Sequence, residues 1–344
     1  MKHIIALTAL FFVLNLNAQS SSNPGEYMDY FSTEYLQIQK DMWDYTRSVS
    51  HGKSARKVEK RRSELIQTTT AAKNKAKRAK GFKEDVRYRD SVILYFELIE
   101  IVLKEDYAQI VDMEAIAEQS YDAMEAYMMA RDMASDKMSE AGKMINREHK
   151  AFAEANGVTI IENEDSKLDQ KMEIANKVYD HYNEIYLIFF KSYKQELYLL
   201  DAIERQDISA IEQNRNALIS TVEEGMLKMK EVALYEGDKS MLEATRNLLK
   251  FYQKEAEDGV DVILEFFEAN ENFAKIKEAF EAKKEKNRTQ DDVDTFNEAV
   301  NNVNEAVNAY NSGNEASNKE RSSQIDNWNK VAEKFTTKHV PRGK

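Results

Sequence analysis

The stretch KSARKVEKRRSELIQTTTAAKNKAKRAKGFK, Lys53 to Lys83, holds twelve Lys and Arg against only Glu59 and Glu64, a local balance of +10. Its chemistry would be anion capture, because clustered ammonium and guanidinium groups neutralise a polyanion with an affinity that salt screens. The candidate anion-binding face is Lys73, Lys75, Lys77, Arg78 and Lys80. Three readings stand beside one another: a solvated face balanced by acidic neighbours, a surface docked against the acidic second half, or a binder of an anionic envelope polymer. Lipopolysaccharide phosphate, polysaccharide and extracellular DNA are such polymers. The whole chain carries −12 and Lys2 belongs to a leader, so the mature chain outside this stretch sums to −23. That acidity excludes a dedicated, sequence-specific nucleic-acid binder, since the bulk of the molecule repels phosphate.

Catalytic and metal-binding patterns do not emerge. The histidines of the mature chain, His51, His149, His181 and His339, stand apart, and none follows a Glu or Asp by three residues. The Glu-x-x-His pairs of a helical di-iron site and the H-E-x-x-H zinc helix are therefore missing. His149 lies on the apolar side of its helix and reads as a hydrogen-bonded packing residue. Gly237 opens GDKS, the tail of a phosphate-binding loop, without the upstream glycine that such a loop needs. Met113, Met124, Met128, Met129, Met133, Met138 and Met144 could offer thioethers to Cu(I), but several share a helix's apolar stripe and read as core filling. Glu162, Glu164, Asp165 and Asp169 lack the order of a calcium loop and read as a solvated linker. Arg62 and Arg215 fall at matching seam positions, each placed to pair with a carboxylate of a neighbouring helix. With no cysteine, disulfides, thiolate metal sites, a thiol nucleophile and a lipidated cysteine are excluded. No enzyme, cofactor or metal is expected.

The segment MKHIIALTALFFVLNLNAQS has a basic start at Lys2, an apolar core from Ile4 to Leu14 and a small residue at Ala18. It reads as a signal peptide over 1–18, cut before Gln19, which places the mature protein outside the cytoplasm, in the periplasm or at the cell surface. No later stretch is apolar over a membrane's thickness, so no transmembrane segment is expected in the mature chain.

Between Pro24 and Pro341 there is no proline, and helix-forming residues dominate, so the fold class is all-α. Met28, Phe31, Tyr35, Ile38, Met42, Tyr45 and Val49 recur every three or four residues and stack on one helix face. Asn23 caps this helix, and Gly52 stops it. The basic stretch forms the second helix, with Val58, Arg62, Leu65, Thr69, Ala72, Ala76 and Ala79 as a narrow seam, ending at Gly81. An apolar helix follows from about Glu84 to Val111, and a Met-rich helix or helix pair runs to Asn156 and stops at Gly157.

That order repeats. RRSELIQTT from Arg61 resembles NRNALISTV from Asn214, GFKEDVRYRDSVILYF from Gly81 aligns with GDKSMLEATRNLLKFY from Gly237, and FAEANGV from Phe152 and FTTKHV from Phe335 close the two halves alike. The expected architecture is two tandem antiparallel helical bundles of about four helices each, an internal duplication. The first bundle spans 19–157, an acidic linker 158–168, and the second bundle 169–344. In the last helix Val293, Phe296, Val300, Val303, Val307 and Tyr310 make a clean seam opened by a Thr289–Asp292 capping box, whereas 311–324 loses it and reads as a polar insertion, a loop or projecting turn.

NPGEYMDY (Asn23 to Tyr30) and FTTKHVP (Phe335 to Pro341), with the helical layout between them, resemble a family of exported, all-helical bacterial surface proteins of unknown function. The resemblance implies location and fold, and it carries no catalytic residues over. Lipoprotein relatives would have a cysteine where this chain has none.

The reading is an exported, non-enzymatic helical-bundle protein, a structural or binding component of the bacterial periplasm or cell surface with an unidentified partner. The alternatives are a carrier of a small ligand or soft metal in a pocket near Met124 and Met128, and a scaffold holding anionic envelope polymer through helix 53–83.

Overall fold

A computed structural model describes residues 22–50, 55–160 and 164–341. The leader, the Gly52 stop and Lys53 lie outside them. Within them the chain is all-α and carries no strand, only two isolated backbone bridges. The helices are α1 (Pro24–Ser50), α2 (Ala55–Arg78), α3 (Arg87–Ile101), α4 (Tyr107–Ala117), α5 (Tyr121–Ala155), α6 (Glu164–Glu204), α7 (Ile208–Glu231), α8 (Ser240–Lys254), α9 (Val260–Ala282) and α10 (Gln290–His339). A π-helical turn, Val102–Asp106, carries α3 into α4, and a second, Glu255–Gly259, carries α8 into α9. The chain divides into two compact units, one running up to Ile110 and from Ala130 to Asp169, the other from Val111 to Met129 and from Gln170 onward. Residues 111–129, read from the sequence as part of the first bundle, thus group with the second unit. Helix α6 begins inside the acidic segment read as a linker.

In the first unit the Asn23 side chain accepts the Gly25 N–H at 2.8 Å and opens α1. The seam then does what its spacing demands: Met28, Phe31, Ile38 and Tyr45 are buried, with Tyr35 and Met42 packed against them. Helix α2 presents Leu65, Ala72 and Ala76 to that core, and such small residues bring two helix backbones close. On α3, Val92, Phe96, Ile99 and, beyond it, Leu103 are buried, each such side chain contributing about 1.5–3 kcal/mol relative to exposure. Val86, inside the span expected to be apolar helix, is exposed. Helix α3 starts at Arg87 and not at Glu84 because a tight turn intervenes, in which Lys83 and Glu84 adopt the left-handed conformation (φ 48° and 70°) and Phe82 bridges to Asp85. Gly81 is required beside it, since a Cβ there would stand 2.7 Å from the Asp85 carbonyl oxygen. At the far end α5 stops as expected: Gly157 has φ +65°, and the Val158 N–H reaches back to the Ala153 carbonyl at 2.9 Å.

In the second unit the same elements recur at a fixed step. From Phe82 to Tyr235 the step is 153 residues (235 − 82), and the same step carries Asp85 to Asp238, α2 to α7, α3 to α8 and one π-helical turn to the other. The match of Arg61–Thr69 with Asn214–Val222 keeps this step. The match of Gly81 with Gly237 does not: Gly237, at φ +75°, occupies the turn position of Glu84, so that alignment is displaced by three residues.

The capping box at Thr289 and Asp292 is present. The stretch 311–324, expected as a loop, is instead continuous helix within α10. It contains no proline, its polar side chains pair one turn apart (Asn314 with Asn318, Glu320 with Gln324), and Arg321 turns inward to buried carboxylates. Polar side-chain pairs and the inward ion pairs of Arg321 stand there in place of an apolar seam.

Candidate functional site

The cationic face of α2 is largely committed inside its own unit. The Lys73 ammonium bonds to Glu100, Lys75 to Glu34 at 2.6 Å and Lys77 to Glu97 at 2.7 Å, so three of the five candidate cations tie α2 to α1 and α3. Lys75 also lies 4.5 Å from the centre of the Tyr30 ring. Glu100 is buried and additionally accepts from Lys104 and from the Thr70 hydroxyl at 2.8 Å. Burial opposes its ionisation, yet these donors outweigh it and hold the carboxyl at about 2. Arg78 and Lys80 are exposed and have no ion pair among the described residues. The backbone at Lys80 is held by a tyrosine: Tyr27 donates to its carbonyl at 2.9 Å.

In the second unit a buried charged cluster joins three elements. Arg321 of α10 donates to Glu196 of α6 and to Glu255, the first residue of the π-helical turn. Glu196 is fully buried and the Glu255 and Arg321 side chains are nearly so. The second carboxylate oxygen of each glutamate, the Tyr252 hydroxyl and the Ser192 hydroxyl are buried without a hydrogen-bond partner. Burial, then the Glu255 charge, pushes the Glu196 carboxyl up to about 8, against the pull of Arg321. Such a group can hold a proton at neutral pH. Sequence reading missed all three residues, because their separations in the chain leave no local motif and Arg321 sits in the stretch taken for a loop.

A second cluster closes one end of the same unit. His339 directs Nδ1 to Glu236 at 3.2 Å and Nε2 to Asp238 at 3.0 Å, and Lys338 bonds Asp238 at 2.7 Å. His181 packs on Phe335 and Tyr235 with its Nε2 unpartnered, and burial lowers its pKa. Two histidines that stand apart in the sequence are therefore neighbours. His149 accepts from or donates to the Tyr88 hydroxyl at 2.7 Å beside Phe152, as a packing residue does. Phe152 and Phe335 each complete an aromatic cluster at the end of their unit, with Tyr27, Phe82 and Tyr88 in one and His181, Tyr235 and His339 in the other.

Arg215 pairs with Asp261 of α9 at 2.7 Å, as its position suggests. Arg62 instead pairs with Glu59 of its own helix. Met124 and Met128 are buried, whereas Met129 and Met133 are exposed. No group of three or more His, Cys, Asp or Glu among the described residues is arranged to hold a metal ion. No helix among them is long and apolar enough to cross a membrane.

Comparison with family models, curated proteins and solved structures gives no match. The functional reading therefore rests on the chain's own geometry.

Proposed function

We propose that the protein is an exported, non-catalytic helical-bundle protein, a structural or binding component of the bacterial periplasm or cell surface. One observation carries this reading: charged groups that could act on a substrate are engaged in fastening helices to one another. Lys73, Lys75 and Lys77 serve α1 and α3, and Arg321 serves α6 and the π-helical turn. Partly buried pairs such as Lys73–Glu100 and Lys75–Glu34 fix which helices meet and in what register, a role of a framework. The leader read at 1–18 supplies the location, and the constant step between the two sets of helices supports an origin by internal duplication.

The test is to express the full chain in a bacterial host, fractionate the cells and weigh the intact protein. The expected product lies outside the cytoplasm and begins at Gln19, and gentle cross-linking recovers it with a partner. A full-length, cytoplasmic product would refute the exported reading. Turnover of a small substrate by the purified protein would refute the non-catalytic one. A second reading, retention of anionic envelope polymer, is favoured by Arg78 and Lys80, the two candidate cations that remain exposed and unpaired among the described residues.

A further inference from the structure

Inside the second unit one positive charge serves two negative ones. Arg321 donates to both Glu196 and Glu255, and no second cation among the described residues joins them. The ionisable groups facing the pair are Tyr193 from α6, Tyr252 from α8 and Arg321 from α10, with Glu118 acting on Tyr193 from the segment 111–129. Burial raises the pKa of both tyrosines, so both stay neutral and add no further negative charge. With both glutamates charged, the cluster would hold a net −1 where water does not reach, and a buried, uncompensated charge is among the most costly features a fold can carry. The second oxygen of each carboxylate is buried without a hydrogen-bond partner, and the neutral Tyr252 hydroxyl beside Glu196 offers a hydrogen bond but no positive charge to offset the surplus.

We propose that Glu196 and Glu255 share one proton, and that this proton completes a clasp fastening the middle of α10 to α6 and to the π-helical turn. Adding it brings the three side chains to neutrality and turns one acceptor into a hydroxyl donor, which answers both deficits at once. The proton belongs to the pair, as in other close carboxylates.

The sign of the response follows. Glu196 is raised from an ordinary 4.5 to about 8 in the fold, so between those values the folded chain holds a proton that the unfolded chain has lost. The clasp's contribution is complete below about 4.5 and is lost as pH rises through about 8.

The experiment uses the full mature chain with 13C-labelled glutamate carboxyl groups, followed by NMR from pH 5 to 9, together with hydrogen exchange of the α10 amides around Arg321. One carboxyl is expected to titrate far above the others. Amide protection near Arg321, corrected for intrinsic exchange, is expected to fall about tenfold from pH 7 to pH 9. In Glu196→Gln, a neutral mimic, the high titration should vanish and protection should become independent of pH. Glu255→Gln leaves a neutral Glu196–Arg321 pair and should lower the remaining titration, since the Glu255 charge is gone while burial stays. Ionisation of every glutamate at pH 6 with α10 still protected would overturn the proposal. Protection that follows sodium concentration at fixed pH would overturn it in favour of a bound metal cation.

Discussion

The guanidinium of Arg62 donates to the carbonyl oxygen of Leu103 across 2.7 Å, joining α2 to the π-helical turn that follows α3. A π-helical turn breaks the regular i to i−4 ladder and leaves a carbonyl in need of a donor. In the second unit Arg215 gives the same service to the Glu257 carbonyl at 2.9 Å. Replacing Arg62 by Met should keep the aliphatic packing yet strand that carbonyl, at a cost of about 1–3 kcal/mol. Arg62→Lys should recover only part of it, because one ammonium cannot reproduce the fork that holds Glu59 and Leu103 together. Urea unfolding of both variants checks this, and equal stability of the Met variant and the parent would reject it.

Glu84 sits at φ 70°, whereas the position 153 residues on holds Gly237, the residue that tolerates such backbone. Glu84→Gly should therefore stabilise the first unit by up to about 1 kcal/mol, the relief of strain exceeding the extra freedom of the unfolded chain. Gly237→Glu should do the reverse in the second unit. Thermal melting of the two variants should move in opposite directions.

The heptad seam made α1 legible, and its buried Met28, Phe31, Ile38 and Tyr45 follow directly from three-and-four spacing. The Thr289–Asp292 cap was legible for the same reason: both partners lie within one turn. What the sequence hides are relationships over distance. Arg321 and Glu196 are 125 residues apart, and no local pattern announces that a polar stretch turns one side chain inward. The pairing of Lys73 with Glu100 was hidden likewise, so the candidate cationic face could be located on a helix but its free charges could not be separated from its committed ones.

Gly225 on α7 lies against side chains of α6 and α8. A Cβ there would meet the Leu249 side chain at 3.1 Å and that of Ile188 at 3.2 Å, both on buried residues with little room to yield. Gly225→Ala should gain helix propensity and lose more by overpacking, a net destabilisation of about 1–2 kcal/mol. Paired replacement with Leu249→Val should restore part of that loss, which denaturant titration of the double variant would reveal.

Asp238 couples the turn before α8 to the last residues of α10. Burial raises its pKa, but hydrogen bonds from Lys338, His339 and Ser240 outweigh that and hold the carboxyl below the ordinary range. A depressed pKa stabilises the fold above the unfolded value near 3.8 and is lost as pH falls below it. Asp238→Asn should lower stability at pH 7 by about 1–3 kcal/mol and flatten the acid limb. Stability curves at pH 7 and pH 3 test this, and an unchanged difference between the two would contradict it.

Charge on α2 divides by what each group touches, and that division separates binding from stability. Lys73→Glu would place a second carboxylate against buried Glu100, so it should destabilise the first unit by about 3 kcal/mol or more whatever the protein binds. Arg78→Glu with Lys80→Glu changes two exposed groups and should leave unfolding within about 0.5 kcal/mol of the parent. Retention on a heparin or lipopolysaccharide column is the discriminating measurement. If anionic polymer is held by the free end of α2, the double variant should elute at markedly lower salt while its melting point stays put. Unchanged elution of a normally folded double variant would remove that surface as a binding face and leave the lysines of α2 with the task their ion pairs describe, holding α1 and α3 in place.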